Sequence, residues 1–288
     1  MIARAISALL FALVFASGID SGAVWAQSAK EKPDSNKPAW SGSVSEEQFK
    51  AMHELKTGEA PALHGQMIEL AGGHAYLSLP ANAEPPLPGV VVIQEWWGLN
   101  DHIKHWADRL AADGYAALAV DLYDGKLATT PDSALAYVKA NDPARSLEIL
   151  LAGHRFLAAD ARVKAERRGS IGWCFGGTQS LRLALAAPDL DACVLYYGGP
   201  VLEVEELQAI RAPLLGVFGN LDQSIPPATV DQFDAALTKA GVKHEILRYD
   251  AVHAFANPSN PKYDQKSAGD AWKKVQAFFA ANLKQAKK

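Results

Sequence analysis

Short apolar runs alternate with longer amphipathic stretches along most of this chain, and this alternation constrains the fold more than any other feature. Runs such as "GVVVIQE" and "PLLGVFG" predict strands buried on both faces, while "DHIKHWADRLAADG" has apolar residues at helical spacing and ends at a glycine. Strands that alternate with helices build a parallel sheet. We therefore expect an α/β fold, with one doubly wound, mostly parallel sheet, helices on both faces and an early hairpin formed by "GQMIEL" and "HAYLSLP".

The amino-terminal residues have the pattern of a secretory signal peptide. Arg4 precedes an apolar run over residues 5–16, and Val24 and Ala26 place small side chains where a signal peptidase reads them. A membrane anchor is the alternative, but the apolar run is shorter than the roughly 20 residues that span a bilayer. We predict a signal peptide over residues 1–26, a flexible leader over 27–45, one domain over 46–288, and a periplasmic or secreted protein.

Composition and charge exclude several classes of protein. The 288 residues are 49% hydrophobic and 21% charged, which is enough apolar material for one large core. The formal net charge is −4 and the sequence has no long Lys/Arg run, which argues against nucleic acid or an anionic membrane surface as a partner. We expect a small-molecule substrate, a monomer, and no membrane association after signal cleavage.

The stretch "GSIGWCFGGTQS" places a cysteine between glycines where a predicted strand gives way to a predicted helix. Cys174 could be a small core residue whose neighbouring glycines permit tight packing. Alternatively, Gly172 and Gly176 flank a nucleophile on a sharp strand-to-helix turn, where small neighbours leave room for substrate. The second cysteine, Cys193, begins the next predicted strand, about four residues from the level of Cys174 at roughly 3.3 Å each, so we expect no disulfide between them.

Four polar residues follow predicted strands, at the edge of the sheet where reactive groups gather in open parallel folds. Glu95 follows "VVVIQ", Cys174 follows "SIGW", Asp222 follows "PLLGVFGNL" and His253 follows "HEILRYDAV". Each alone has an ordinary structural explanation, such as a turn aspartate or a loop histidine. Together, nucleophile, acid and histidine occur in the chain order of the α/β-hydrolases. The sequence therefore predicts a Cys174–His253–Asp222 triad.

The chemistry of such a triad follows from the need for a thiolate. His253 would take the proton of Cys174, and Asp222 would hold the imidazole in the required tautomer and stabilise its cation. The backbone N–H of Phe175 would face the oxyanion that develops during attack on an ester. Glu95 is unusual on its own, because a carboxylate that ends an apolar strand is costly to bury without a partner.

These motifs resemble those of the dienelactone hydrolases, α/β-hydrolases in which cysteine replaces the usual serine nucleophile. The resemblance extends over roughly residues 65–283 and includes "QEWWG", "GWCFGG", "LYYGG", "GNLDQSIP" and "HAFAN". It implies that Glu95 contacts the nucleophile and helps convert the thiol to a thiolate when substrate arrives. It also implies that the backbone N–H of Trp96 is the second donor to the oxyanion.

The sequence departs from this family where the substrate carboxylate would bind. Family members that act on dienelactone hold its carboxylate with two arginines, one shortly after "DLY" and one four residues after the histidine. Here Gly125 and Asn257 stand at these positions, and Lys126 is a point charge that cannot copy a bidentate guanidinium. We therefore expect a neutral small ester or lactone. The residues expected to contact it are Trp97, Trp173, Tyr123, Lys126, Tyr197 and Asn257.

Other functions are compatible with parts of the sequence. A periplasmic thiol-based redox or sensing protein would use an exposed, low-pKa cysteine, but the chain has no C-x-x-C and this function leaves Asp222 and His253 unexplained. A non-catalytic binding module on a hydrolase scaffold would normally have lost a triad member. His102 and His105 lie three residues apart, without a third ligand at metal spacing. We expect no metal and no cofactor.

Overall fold

The computed structural model describes residues 62–285, so the predicted signal peptide, the predicted leader and the predicted start of the domain at residue 46 lie outside the described residues. Within this part, eight strands form one sheet in the order β1-β2-β4-β3-β5-β6-β7-β8. The strands are β1 (Gln66–Leu70), β2 (Gly73–Ser78), β3 (Gly89–Ile93), β4 (Ala116–Val120), β5 (Arg168–Trp173), β6 (Ala192–Tyr196), β7 (Leu214–Gly219) and β8 (His244–Tyr249).

The sheet is parallel except at its first edge. β1 and β2 form the hairpin that their sequences predict, and β2 also pairs antiparallel with β4. All pairs from β4 through β3 to β8 are parallel. The central strands β3, β4, β5 and β6 are buried along their whole length, as expected for apolar strands covered on both faces.

Helices cover both faces of the sheet. They are α1 (Asp101–Ala112), α2 (Pro131–Ala140), α3 (Pro143–Ala159), α4 (Phe175–Ala186), α5 (Val204–Leu207), α6 (Pro227–Ala240) and α7 (Gln265–Leu283). α1 and α7 pack on one face, where Ile103, Trp106, Trp272 and Phe279 enter the core. α3, α4 and α6 pack on the other face through Leu150, Leu181 and Phe233. The doubly wound α/β architecture is confirmed.

Local signals set several helix ends. The Asn100 side chain accepts a hydrogen bond from the Ile103 N–H at the start of α1, and Asp142 caps α3 in the same way, just before a proline at its first position. α6 ends at Gly241, whose φ of 73° is left-handed and suits glycine. None of the helices between residues 62 and 285 is long and apolar enough to cross a bilayer.

Parallel pairing brings the ends of four strands to one edge of the sheet. β3, β5, β7 and β8 all run in the same direction, so the loops that follow them converge. These loops contain Glu95, Cys174, Asp222 and His253. Cys193 of β6 lies opposite Ser170 of β5, and Ser170 is four residues before Cys174 in the chain. Cys174 and Cys193 form no disulfide.

Candidate active site

Cys174 lies on a sharp turn between β5 and α4, and the glycines around it are required by close backbone packing. Its φ of 55° and ψ of −119° are a strained conformation for a residue with a side chain. A Cβ at Gly172 would collide with the carbonyl of Gly176, and a Cβ at Gly176 would collide with the carbonyls of Ile93 and Gln94. The glycines therefore let the strand, the helix and the end of β3 meet around the thiol.

The backbone of this turn is held from the β6 side. The Cys174 N–H donates to the Tyr196 carbonyl at 3.0 Å. The preceding residue, Trp173, stacks on Trp106 of α1 with ring centroids 4.9 Å apart, and on Tyr196 at 5.7 Å. This packing places the Trp173 ring in the core beneath α1 and α7, where it supports the turn; the ring does not offer a surface to substrate.

Asp222 and His253 form a fully buried pair. His253 Nδ1 lies 2.6 Å from Asp222 Oδ2, and neither side chain is exposed. The other carboxylate oxygen of Asp222 accepts the N–H groups of Ser224 at 2.7 Å and Ile225 at 3.1 Å. Because all these bonds are made in a dry interior, the position and orientation of the imidazole are fixed.

The thiol of Cys174 meets the imidazole of His253 from the other side. Burial alone would lower the pKa of His253, but the negative charges of Asp222 and Cys174, with hydrogen bonds to both, raise this pKa well above its ordinary value. The Cys174 side chain is 6% exposed. The arrangement can accept a proton from the thiol and keep it on the histidine as a cation between two anions.

Glu95 is buried beside His253 and is held by an amide. Asn257 Nδ2 donates to Glu95 Oε2 at 2.6 Å, and the Ser259 N–H donates to Asn257 Oδ1 at 2.8 Å, which fixes the orientation of the amide. Burial raises the pKa of Glu95 to about 7, although His253, Asn257 and Tyr197 act to lower it. Glu95 can therefore exchange a proton near neutral pH.

The two segments whose backbone N–H groups are predicted to face the oxyanion, the start of α4 and the loop after β3, pack against each other at Gly176. Phe175 is the first residue of α4, so its N–H has no carbonyl one turn earlier to bond to. Trp96 follows Glu95 in the loop after β3, and the close contact of Gly176 with the end of β3 brings this loop beside the start of α4. The loop then turns at Gly98, which has a φ of 91°.

Three of the seven non-glycine residues with positive φ between residues 62 and 285 lie in loops of the site. Besides Cys174, Tyr197 after β6 has a φ of 37° and Ala254 next to His253 has a φ of 59°. The Tyr197 ring lies 5.0 Å from the His253 ring. Bulky residues rarely adopt positive φ, and such strain persists only where the surrounding packing imposes it, most often at functional sites.

An aromatic cluster separate from the two main cores contains Trp96 and Phe175, the residues that follow Glu95 and Cys174. Trp96 and Trp97 pack edge to face at 5.1 Å and are covered by Ala134 and neighbouring residues of α2. Tyr123 packs on Phe175 with ring centroids 5.6 Å apart. Lys126 lies on the exposed loop that leads from β4 to α2.

The structure brings most residues named from the sequence to one place. Cys174, His253, Asp222 and Glu95 converge, with Tyr197 against the histidine. Asn257 binds the glutamate, so its amide is engaged within the protein. His102 Nε2 accepts a hydrogen bond from Trp106 Nε1 at 3.1 Å, and residues 62–285 contain no cluster of three or more ligand side chains suited to a metal.

Some features of the site were not identified from the sequence. These are the N–H groups of Ser224 and Ile225 that hold Asp222, the link between Asn257 and Glu95, and the cover provided by α2. "LDQSIP" contains the Asp-x-Ser spacing at which an aspartate accepts from the backbone N–H two residues later, and this signal could have identified the first of them. The other two depend on tertiary packing.

Several known proteins that are similar to this chain in sequence and in fold are named as dienelactone hydrolases or carboxymethylenebutenolidases. The model of the dienelactone hydrolase family matches residues 74–283. A Synechocystis protein with the provisional name carboxymethylenebutenolidase is 34% identical over 237 residues, which cover 76% of this chain and 94% of that protein. A crystal structure from Klebsiella pneumoniae, provisionally named a dienelactone hydrolase, is 32% identical with a TM-score of 0.69, covering 76% of this chain and 99% of that one.

A second similar structure extends the range of chemistry among these proteins. It is described as a dienelactone hydrolase-like promiscuous phosphotriesterase from metagenomic libraries, and it is 26% identical with a TM-score of 0.68. It covers 77% of this chain and 100% of its own length. With the fold, the family match and these relatives in agreement, the chain is an ester and lactone hydrolase of the α/β-hydrolase fold and belongs to the dienelactone hydrolase family.

Proposed function

We propose that this protein is an exported hydrolase that cleaves small neutral esters or lactones, with Cys174 as nucleophile and a thioester as intermediate. The observation that carries the proposal is the buried pair of His253 and Asp222, 2.6 Å apart, next to a cysteine on a strained turn. A structural cysteine needs neither a charged partner nor positive φ. A nucleophile needs both a base and access to the substrate carbonyl.

The reaction begins with proton transfer from the Cys174 thiol to His253 Nε2. The thiolate attacks the carbonyl carbon, and the electron pair of the C=O bond moves to the oxygen, which the N–H groups of Phe175 and Trp96 stabilise. The intermediate then collapses, the C–O bond breaks, and the alcohol oxygen takes the proton from His253. This leaves the acyl group on sulfur as a thioester.

Hydrolysis of the thioester repeats these steps with water. His253 accepts a proton as water attacks the acyl carbon, the C–S bond breaks as the acid product forms, and the proton on His253 returns to the departing thiolate. Asp222 stabilises the imidazolium in both halves of the reaction. In this scheme Glu95, with a pKa near 7, acts as a second proton-holding group beside the nucleophile and assists conversion of thiol to thiolate when substrate binds.

The charge of the site favours neutral substrates. Besides the triad, the side chains that act on Glu95 are Asn257 and Tyr197, neither of them a cation. Asn257 is engaged with Glu95, and Lys126 lies on an exposed loop. A carboxylate would enter beside Asp222, Glu95 and a thiolate, whereas an uncharged acyl group meets aromatic surface from Trp97 and Phe175.

Export and a monomeric state belong to the same proposal. The support for export is the signal-like pattern of residues 1–26, with cleavage after Ala26. Expression of the full chain in a bacterium, followed by amino-terminal sequencing of periplasmic protein, should give a chain that starts at Gln27. Retention of Met1 in the cytoplasmic fraction would contradict export.

The function itself is tested with a panel of neutral esters and lactones. The purified protein should hydrolyse members of the panel, and both iodoacetamide treatment and Cys174→Ala should abolish turnover. Cys193→Ala is the matched control, because this second cysteine is buried away from the site against Ser180. An active Cys174→Ala variant would rule out the thiol as nucleophile.

A further inference from the structure

Tyr123 lies in the loop after β4 with its backbone and ring fixed. Its N–H donates to Asp121 Oδ1 at 2.9 Å. Its ring packs against Phe175, with ring centroids 5.6 Å apart, and against Tyr137 of α2, at 5.7 Å. The residue is 5% exposed. The side chain is therefore held in one position over the start of α4, beside the residue whose N–H faces the oxyanion.

The hydroxyl of Tyr123 is buried without a hydrogen-bond partner among the side chains and backbone of residues 62–285. Burial and the nearby charge of Cys174 raise the pKa of Tyr123, so the hydroxyl keeps its proton and remains a donor. A buried donor that makes no bond is costly to the folded state, and such groups in native proteins commonly have a functional reason. Cys174 lies close enough for its charge to act on this hydroxyl.

We propose that the Tyr123 hydroxyl donates a hydrogen bond to an oxygen atom on the acyl part of the bound substrate and selects acyl groups that carry such an oxygen. This inference rests on the proposed function, since it assigns the substrate class of the same site. The preferred substrates are esters or lactones whose acyl chain contains a neutral acceptor such as an ether, keto or second ester oxygen. The hydrogen bond from the Tyr123 hydroxyl to this oxygen accounts for the preference, and it involves no covalent step.

Two considerations favour a neutral acceptor over an anionic one. The site beside Tyr123 already contains the acidic groups Cys174, Asp222 and Glu95 around the single imidazolium of His253, so a further anion there would be repelled. A donor that is buried and preorganised also discriminates strongly, because an all-carbon analogue leaves the donor unpaired while it excludes water. A substrate that lacks the oxygen should therefore have a lower kcat/KM even when its shape fits the site.

The test compares substrates that differ in a single atom. 4-Nitrophenyl methoxyacetate and 4-nitrophenyl butyrate have acyl groups of equal length, with an ether oxygen in place of a methylene. Tyr123→Phe should lower kcat/KM for the methoxyacetate by about tenfold and leave the butyrate within about twofold. Intrinsic reactivity cancels, because each ester is compared between the two enzymes. An equal effect on both esters, or no effect on either, would overturn the inference.

The control is Tyr115→Phe. Tyr115 precedes β4, at the end of that strand opposite Tyr123, and its ring packs 5.9 Å from Phe279. This variant should change neither ester. The Tm of Tyr123→Phe should be unchanged or raised, because the substitution removes an unsatisfied donor. A fall of more than about 4 °C would mean that the hydroxyl has a structural partner and would contradict the proposal.

A second readout separates this inference from the proposed function. Alkylation of Cys174 by N-(2-methoxyethyl)maleimide and N-butylmaleimide needs a reactive thiol but no ester hydrolysis. The wild-type protein should react faster with the methoxyethyl reagent, and Tyr123→Phe should remove this preference. A preference without esterase activity would retain the Tyr123 site while the proposed function fails. Ester turnover with no preference in either assay would overturn the Tyr123 site alone.

Discussion

His253 Nδ1 and Asp222 Oδ2 are 2.6 Å apart in a pair that is closed to solvent, while the second oxygen of Asp222 accepts two backbone N–H groups. The carboxylate thus uses both oxygens as acceptors, toward Ser224 and Ile225 on one side and the imidazole on the other. This requirement cannot be met by a side chain with one acceptor and one donor.

Asp222→Asn should lower kcat by about 10³- to 10⁴-fold. The amide has one acceptor oxygen and one NH₂ donor, so this NH₂ group must face either the imidazole N–H or the backbone N–H groups, which are donors themselves. The substitution should also lower the Tm. The matched control is Asp234→Asn, which alters an exposed Asp–His pair with His244 at 2.9 Å. Steady-state kinetics and thermal unfolding of both variants check the prediction, and equal kcat values in the two variants would remove Asp222 from the mechanism.

Glu95 should make the stability of the protein depend on pH. Its pKa in the folded state is about 7, above the ordinary 4.5, so the unfolded chain loses this proton first as the pH rises. The free energy of unfolding therefore falls between about pH 4.5 and pH 7, by a few kcal/mol for a shift of this size.

Glu95→Gln should remove this dependence. The variant should match the wild type near pH 4 and have the higher Tm at pH 8, where the wild type carries a buried carboxylate. Glu148→Gln, which alters an exposed ion pair with Arg145, is the control and should change neither value. Parallel Tm profiles for Glu95→Gln and the wild type would show that Glu95 titrates normally. Activity should fall less in Glu95→Gln than in a triad variant.

The glycines of the strand-to-helix turn should not tolerate a methyl group. Gly176→Ala places a Cβ against the carbonyls of Ile93 and Gln94, so the loop with Trp96 must move and kcat should fall by at least tenfold, with a lower Tm. Gly269→Ala is the opposite case. Gly269 lies within α7 on its exposed side, and a Cβ added there would have no atom within 4 Å. This substitution should raise stability by about 0.5–1 kcal/mol and leave the kinetics unchanged. Full activity in Gly176→Ala would contradict the close packing of Gly176 against the end of β3.

Neutral substrates should be hydrolysed faster than carboxylated ones of the same size. For a matched pair such as an ester and its ω-carboxylated analogue, we expect kcat/KM to favour the neutral member by at least tenfold, because desolvation of the carboxylate is offset by at most Lys126. Lys126→Gln should lower the rate for the carboxylated member only. The reverse ranking would mean that another cation reaches the site.

The sequence predicts the architecture well because each element carries its own local signal. Short apolar runs such as "GVVVIQE" alternate with amphipathic stretches, and this alternation predicted the order of strands and helices that the structure has. The polar residues that follow these strands predicted that Cys174, Asp222 and His253 lie near one another. The turn at Cys174 was predicted because glycines are needed on both sides of it.

The remainder of the site depends on contacts between distant parts of the chain. Asn257 was expected to face the substrate, but tertiary packing places its amide on Glu95, 162 residues away in sequence. Trp173 was expected to contact substrate, but the alternation of side chains along β5 turns its ring toward Trp106 and α7. The Tyr123 hydroxyl is left without a hydrogen-bond partner by the tertiary packing around it, and no sequence pattern near Tyr123 indicates this.

The most direct test of the account is the mass of the protein during turnover. Mixed with a slowly hydrolysed neutral ester and quenched in acid within one turnover, the protein should gain the mass of the acyl group, and peptide mapping should place it on Cys174. Hydroxylamine should remove the adduct, as expected for a thioester, and Cys174→Ala should show none. Turnover with no adduct on Cys174, or an adduct on another residue, would contradict the thiol as nucleophile.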